Sequence, residues 1–158
     1  MIHIQNGDLL KSDCDIIAHC CNCKLGFGSG IAGQIRKQLP YAYRAFSEDI
    51  RTPEDKLGTY SLGLSLDSRP DVFNLYGQLD YGPGNKQYVD YRALLQSMLT
   101  MMDYIVDWKS KSTKKFKIGL PYLIGCGLAG GDWHIVEELI LNVSYQYSHD
   151  IYLYRFKP

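Results

Sequence analysis

Net charge is the first thing this sequence lacks: 17 Lys and Arg residues offset 17 Asp and Glu. A protein that grips nucleic acid through a broad electrostatic surface carries a basic excess, so that class is disfavoured. The basic cluster KSKSTKKFK (Lys109 to Lys117) stands between a helical run and a strand-like run and reads as a solvated loop. Long apolar runs are missing too. No stretch reaches the ~18–20 residues of a membrane span, and MIHIQNGDLL lacks the basic-then-apolar order of a secretory leader. The expectation is a cytoplasmic protein with no membrane partner. There is no repeat and no low-complexity linker, so residues 1–158 are expected to form one domain, long enough to bury a core without staples. A disulfide framework is not indicated either: the cysteines number five, an odd count, and four crowd between Cys14 and Cys23, which suits reduced thiols.

What the chain does have is glycine and cysteine gathered at one spot, HCCNCKLGFGSGIAG, from His19 to Gly33. Three readings compete for it. Structural zinc needs four ligands, usually two C-x₂₋₄-C hooks; here Cys20, Cys21 and Cys23 have no second hook, because Cys126 stands alone. A nucleophilic cysteine needs a group that lowers its pKa, and His19, adjacent on a strand, would face away from Cys20. The third reading has small, nearly apolar thiols packing beneath a ligand-binding loop, and it fits the residues best.

The pattern of periodicity and breakers places this loop. IHIQ opens as a short strand, and DIIAHC (Asp15 to Cys20) reads as a buried strand. GIAGQIRKQL reads as a helix ending before Pro40, and YAYRAFSEDI as a second helical piece. TYSLGLSL and DVFNLYGQ read as paired strands across a turn at SRP. After the glycine-rich LDYGPGNKQYV, Asp90 is the expected N-cap of the longest helix, DYRALLQSMLTMMDYIVDW. FKIGLPYLIG is a strand entering a second glycine loop, GCGLAGG. Asp132 then caps WHIVEELILNVSYQY, and DIYLYRF closes as a strand. Strands alternating with helices imply a layered α/β domain with a mixed sheet. Two junctions run strand, glycine loop, helix, and in such sheets these lie where ligands bind. A pair of helix N-termini facing one crevice would suit a diphosphate.

NGDLL, IIAHCCNCKLGFGSGIAGQIRKQLP and LPYLIGCGLAGGDW, in that order and across nearly the whole chain, resemble the macrodomain family. HCCNC followed by GSGIA, together with NLYGQ, is similar to its branch that processes ADP-ribose 1″-phosphate. The resemblance implies a three-layer α/β/α fold with a central mixed β-sheet, and a small-molecule ADP-ribose derivative as partner. It implies that Asp8 accepts a hydrogen bond from the adenine amino group, that Tyr154 stacks on or edges the adenine, and that Asn22 binds the distal ribose. Gly28, Ser29, Gly30 and Ile31 would line the diphosphate and distal ribose on one side; Gly125, Cys126, Gly127, Leu128 and Ala129 would wrap the phosphates on the other. His19 is then the candidate acid or base, and Asp132 the candidate for orienting a water. The same residue types also serve plainer ends: a turn or cap for Asp8, Asn22 and Asp132, core packing for Tyr154 and His19.

The activity implied is hydrolysis of ADP-ribose 1″-phosphate to ADP-ribose and phosphate, with no cofactor and no metal. A non-catalytic binder of ADP-ribose nucleotides is the alternative, and a hydrolase acting on an ADP-ribosylated macromolecule is another. The lysine-dependent glycohydrolase chemistry of the family is not expected. Its lysine position reads Gly77-Gln78 here, and the nearest lysine, Lys86, sits in a glycine-flanked loop.

Overall fold

A computed structural model describes residues 1–157; Pro158, the last residue of the expected domain, lies outside the described residues, as does the side chain of Lys109 at the start of the basic run. Among the described residues the chain forms β1 (Ile2–Asn6), a 3₁₀ turn (Leu9–Lys11), β2 (Ile16–Asn22), α1 (Gly30–Gln38), α2 (Pro40–Ser47) and a short α3 (Pro53–Lys56). β3 (Tyr60–Gly63), β4 (Asp71–Gln78), α4 (Tyr91–Ser110), β5 (Ile118–Pro121), α5 (Trp133–Tyr147) and β6 (Ile151–Arg155) follow. The strands join in one sheet of order β1-β6-β5-β2-β4-β3. All neighbours pair parallel except β3, which runs antiparallel to β4 as the hairpin reading required.

β2 shows why the layers form. It is buried along its length, and its side chains alternate between two cores. Ile16 and Ala18 face a core built with Met98, Met101, Met102 and Ile105 of α4 and Val136, Ile140 and Val143 of α5. Ile17 and Cys21 face a second core with Ile35 of α1 and Ala42 and Phe46 of α2. The result is α1 and α2 on one face, the mixed sheet in the middle, and α4 and α5 on the other, the α/β/α arrangement that was expected. Asp90 caps α4 as foreseen, its carboxylate accepting from the Ala93 N–H at 3.0 Å.

Three details differ from the sequence reading. β5 is four residues long rather than running from Phe116 to Gly125; Pro121 has no N–H to extend the ladder and the chain turns there. The first residues of the basic run belong to α4, which continues to Ser110; the loop proper pins Lys114 to Asp15 at 3.0 Å and Lys117 to Asp13 at 2.6 Å. The 3₁₀ turn and α3 were not anticipated, being too short to show a period. No helix among the described residues is long and apolar enough to cross a membrane.

Candidate functional site

Because β1, β6, β5, β2 and β4 run parallel, their C-terminal ends open on one edge of the sheet, and the loops that leave them meet there. Two adjoining cavities lie among these loops. The first, about 630 Å³, is lined by Asn22, Gly26, Gly28, Ser29, Gly30 and Ile31 after β2, Gln78, Tyr81 and Tyr88 around the β4–α4 loop, and Gly125, Gly127, Leu128 and Ala129 after β5. The second, about 520 Å³, is lined by Asp8, Tyr154, Arg155, Phe156 and the outer side of α1. Gly30, Ile31, Pro121, Tyr122 and Leu123 border both, so the two form one elongated crevice with its waist at the start of α1.

The first glycine loop is shaped from within. The Asn22 amide donates to the Gly26 carbonyl at 2.6 Å and accepts from the Gly26 N–H at 3.3 Å, closing the turn while the residue still borders the cavity. Asn22 therefore does the work of a turn asparagine and keeps a face toward the ligand space. Gly30 has φ +57°, a left-handed conformation that glycine adopts without cost, and it starts α1 at the crevice, where the first helical N–H groups have no intrahelical partner. Ser29, at the N-cap, makes no side-chain cap hydrogen bond, which leaves its hydroxyl for a ligand.

The second loop arrives differently from what the sequence suggested. It lines the first cavity at Gly125, Gly127, Leu128 and Ala129, but the N-terminus of the helix behind it is capped. The Asp132 carboxylate accepts from the His134 N–H at 2.9 Å and caps α5. Asp132 borders neither cavity, so its expected role in orienting a water is corrected to a helix cap. Cys126 is also turned away: its thiol donates to the Ile124 carbonyl, and burial pushes it up to about 11.

His19 requires the larger correction. Its ring is 0% exposed, faces the α1–α2 layer and borders neither cavity. Nε2 bonds the Asn74 Oδ1 at 2.7 Å, and burial lowers its pKa to about 4. The ring therefore stands outside both cavities, and burial keeps it neutral at physiological pH. The thiols are equally quiet. All five are free, and burial raises Cys20 to about 12 and Cys23 to about 11, with Cys21 also pushed well up. Burial thus keeps Cys20, Cys21, Cys23 and Cys126 as thiols at neutral pH, in keeping with packing beneath the loop. Among the described residues no cluster of His, Cys, Asp or Glu is placed to hold a metal ion.

At the other end, Asp8 borders the second cavity and also caps the 3₁₀ turn through the Leu10 N–H at 2.9 Å. A carboxylate has further lone pairs, so the cap does not exhaust it. Tyr154 borders the same cavity but is only 7% exposed, with its hydroxyl drawn toward Asp13 and Cys14. Phe156, 63% exposed at the mouth, is the better stacking surface. Sequence reasoning missed it, together with Gln78, Tyr81 and Tyr88. Tyr81 and Tyr88 lie within the glycine-rich LDYGPGNKQYV, whose glycines were the available signal that this loop approaches a ligand. Lys86 lies outside both cavities, its ammonium near the Tyr88 ring.

An α/β/α sandwich whose parallel strands end at a long crevice between two glycine loops defines a ligand-binding module of the layered α/β class. The fold is that of the macrodomains. The chain is 34% identical to an uncharacterised 17.5 kDa protein of the tk-vs intergenic region of Enterobacteria phage T4, over 78% of this chain and 76% of that one. It is 26% identical to the ADP-ribose 1″-phosphate phosphatase of Debaryomyces hansenii, over 89% and 92%. Among solved structures, the macrodomain of Mycobacterium tuberculosis DarG superposes with a TM-score of 0.78 at 21% identity, over 98% and 97% of the two chains. No protein-family model matches the chain.

Proposed function

We propose that residues 1–158 act as one macrodomain that binds ADP-ribose or a close derivative along the crevice and hydrolyses ADP-ribose 1″-phosphate to ADP-ribose and phosphate. The observation that carries this reading is the waist of the crevice, where the start of α1 (Gly30, Ile31) and the Pro121–Leu123 turn border both cavities, with the 125–129 loop along the first of them. A diphosphate fits the waist, because unpaired helix N–H groups and glycine backbone favour anions. The adenine then occupies the second cavity, with Asp8 accepting from its amino group and Phe156 across its face. The distal ribose occupies the first, beside Asn22. Relatives named ADP-ribose 1″-phosphate phosphatase in Debaryomyces hansenii and Candida albicans, each 26% identical over 89% of this chain, support the phosphatase assignment.

Hydrolysis adds a water oxygen to the terminal phosphorus and breaks its bond to the ribosyl oxygen. With His19 and Asp132 outside the crevice, the polar side chains available at the distal end are Asn22, Ser29, Gln78, Tyr81 and Tyr88. Catalysis there rests on positioning the phosphate and water against neutral donors rather than on a dedicated imidazole or carboxylate. The same observation favours a second reading, a non-catalytic binder, since no His, Asp, Glu or Lys among the described residues borders the first cavity. The five free thiols suit a reducing cytoplasm.

A phosphorus NMR time course of ADP-ribose 1″-phosphate with catalytic protein separates the two. Inorganic phosphate released with turnover is the expected result. Shifted diphosphate resonances without release would make the domain a binder, and unchanged spectra would overturn the ligand assignment.

A further inference from the structure

The buried histidine is too costly a residue to be filler. A fully buried imidazole forfeits its hydration and has to be given a hydrogen bond, whereas leucine would fill the same space without either demand. The position of His19 shows what it is tied to. It sits opposite Asn74 in the β2–β4 register, and the two side chains bond at 2.7 Å. Asn74 is itself held: its amide donates to the Ala42 carbonyl of α2 at 3.0 Å and to the Ser61 hydroxyl of β3 at 3.1 Å. That leaves Oδ1 as the acceptor and makes Nε2 of His19 the donor, which fixes the imidazole in rotation.

The other side of that ring meets Phe27. The two rings pack edge to face, with centroids 5.3 Å apart and planes at 89°. Between Lys24 and Gly30, Phe27 is the one buried residue, 3% exposed and wedged also against Tyr43 and Phe46. Its chain neighbours Gly26 and Gly28 both border the first cavity. Phe27 is thus the anchor of the first glycine loop, and His19 is part of the wall it leans on.

We infer that His19 is a positioning residue: locked by Asn74, it orients Phe27 and through it holds the Gly26–Gly30 backbone in the shape that receives the ligand. The consequence for binding rests on the ADP-ribose reading of the crevice; the consequence for the loop does not. Leucine at position 19 keeps the volume and loses the lock, while glutamine keeps an amide donor for Asn74.

Two measurements on the folded protein test this. The first is amide hydrogen exchange of unliganded wild type, His19→Leu, His19→Gln and Phe27→Leu. His19→Leu and Phe27→Leu are expected to speed exchange across residues 24–30 by about ten-fold or more while α4 and α5 keep their protection, with His19→Gln close to wild type. Unchanged loop exchange in His19→Leu, or His19→Gln as loose as His19→Leu, overturns the inference. The second is titration with ADP-ribose. His19→Leu and Phe27→Leu should each weaken binding by about ten-fold, with the double variant little worse than either alone, because both act through one contact. Turnover should show a raised KM and an unaltered shape of the pH profile over about pH 5 to 8, which removal of a true acid or base would change. If wild type fails to bind ADP-ribose yet the loop loosens as described, the ligand assignment falls and the positioning role stands. Should His19→Leu not fold, Phe27→Leu and its pairing with His19→Gln decide the matter by the same readouts.

Discussion

At neutral pH the imidazole of His19 carries no charge, and that has a consequence for stability that activity assays do not see. Its pKa falls from 6.5 to about 4 on folding because the ring is desolvated, with the Asn74 bond opposing the shift. Between those values the unfolded chain binds a proton that the folded chain does not, so stability falls as the pH drops through the window and levels off below it. Each pH unit inside the window removes about 1.4 kcal/mol, on the order of 3 kcal/mol across the whole of it. Denaturant titrations of wild type from about pH 7 to pH 4 should show this slope, and His19→Gln should flatten it. A slope that survives the substitution would assign it to other groups. The candidate role of His19 comes from the resemblance, and in sequence alone a histidine at a strand end beside a glycine loop is indistinguishable from one that faces the ligand. Strand alternation could have told the two faces apart, but not which face carried the crevice.

Two junctions that read alike in sequence behave differently in the fold. Both run strand, glycines, helix. At α1 the N-cap is Ser29 with no side-chain bond, and at α5 it is Asp132 with a bond to the His134 N–H. Removing an engaged cap costs about 1 kcal/mol, and removing an idle one costs little. Asp132→Ala should therefore lower stability by about 1 kcal/mol and leave ADP-ribose affinity unchanged, while Ser29→Ala should leave stability within about 0.5 kcal/mol and weaken binding. Calorimetric binding paired with chemical denaturation checks both; the reverse pattern would move the anion site from α1 to α5. The long elements and their order were legible because α4, α5 and the strands have clear periods and clear stops, such as Pro40 after α1 and Asp90 before α4. The residues of both glycine loops were legible too, since glycine clusters mark close backbone approach. What could not be read was direction. Cys126 stands among glycines that border the cavity yet turns its thiol inward, and Phe156 lies beyond the last strand, where no period continues.

Over the whole molecule the charge balance returns as a property of the site. The chain has no net charge, and the described residues bordering the first cavity and the waist include no Lys or Arg; Arg155 stands at the second cavity. An anion held at the waist is therefore gripped by backbone N–H groups and the start of α1, short-range dipoles in a partly enclosed space, and not by mobile cations on the surface. Added salt screens exposed charges over distances of about 10 Å at about 0.1 M and reaches buried partners far less. ADP-ribose affinity should accordingly change by no more than about three-fold between about 50 and about 500 mM sodium chloride, where a site built on exposed lysines would lose far more. Isothermal titration across that range decides it. A steep loss would mean that surface cations outside the crevice, such as those of the Lys111–Lys117 segment, contribute to binding. A flat response would mean that this fold recognises a highly charged ligand through backbone geometry rather than through surface cations.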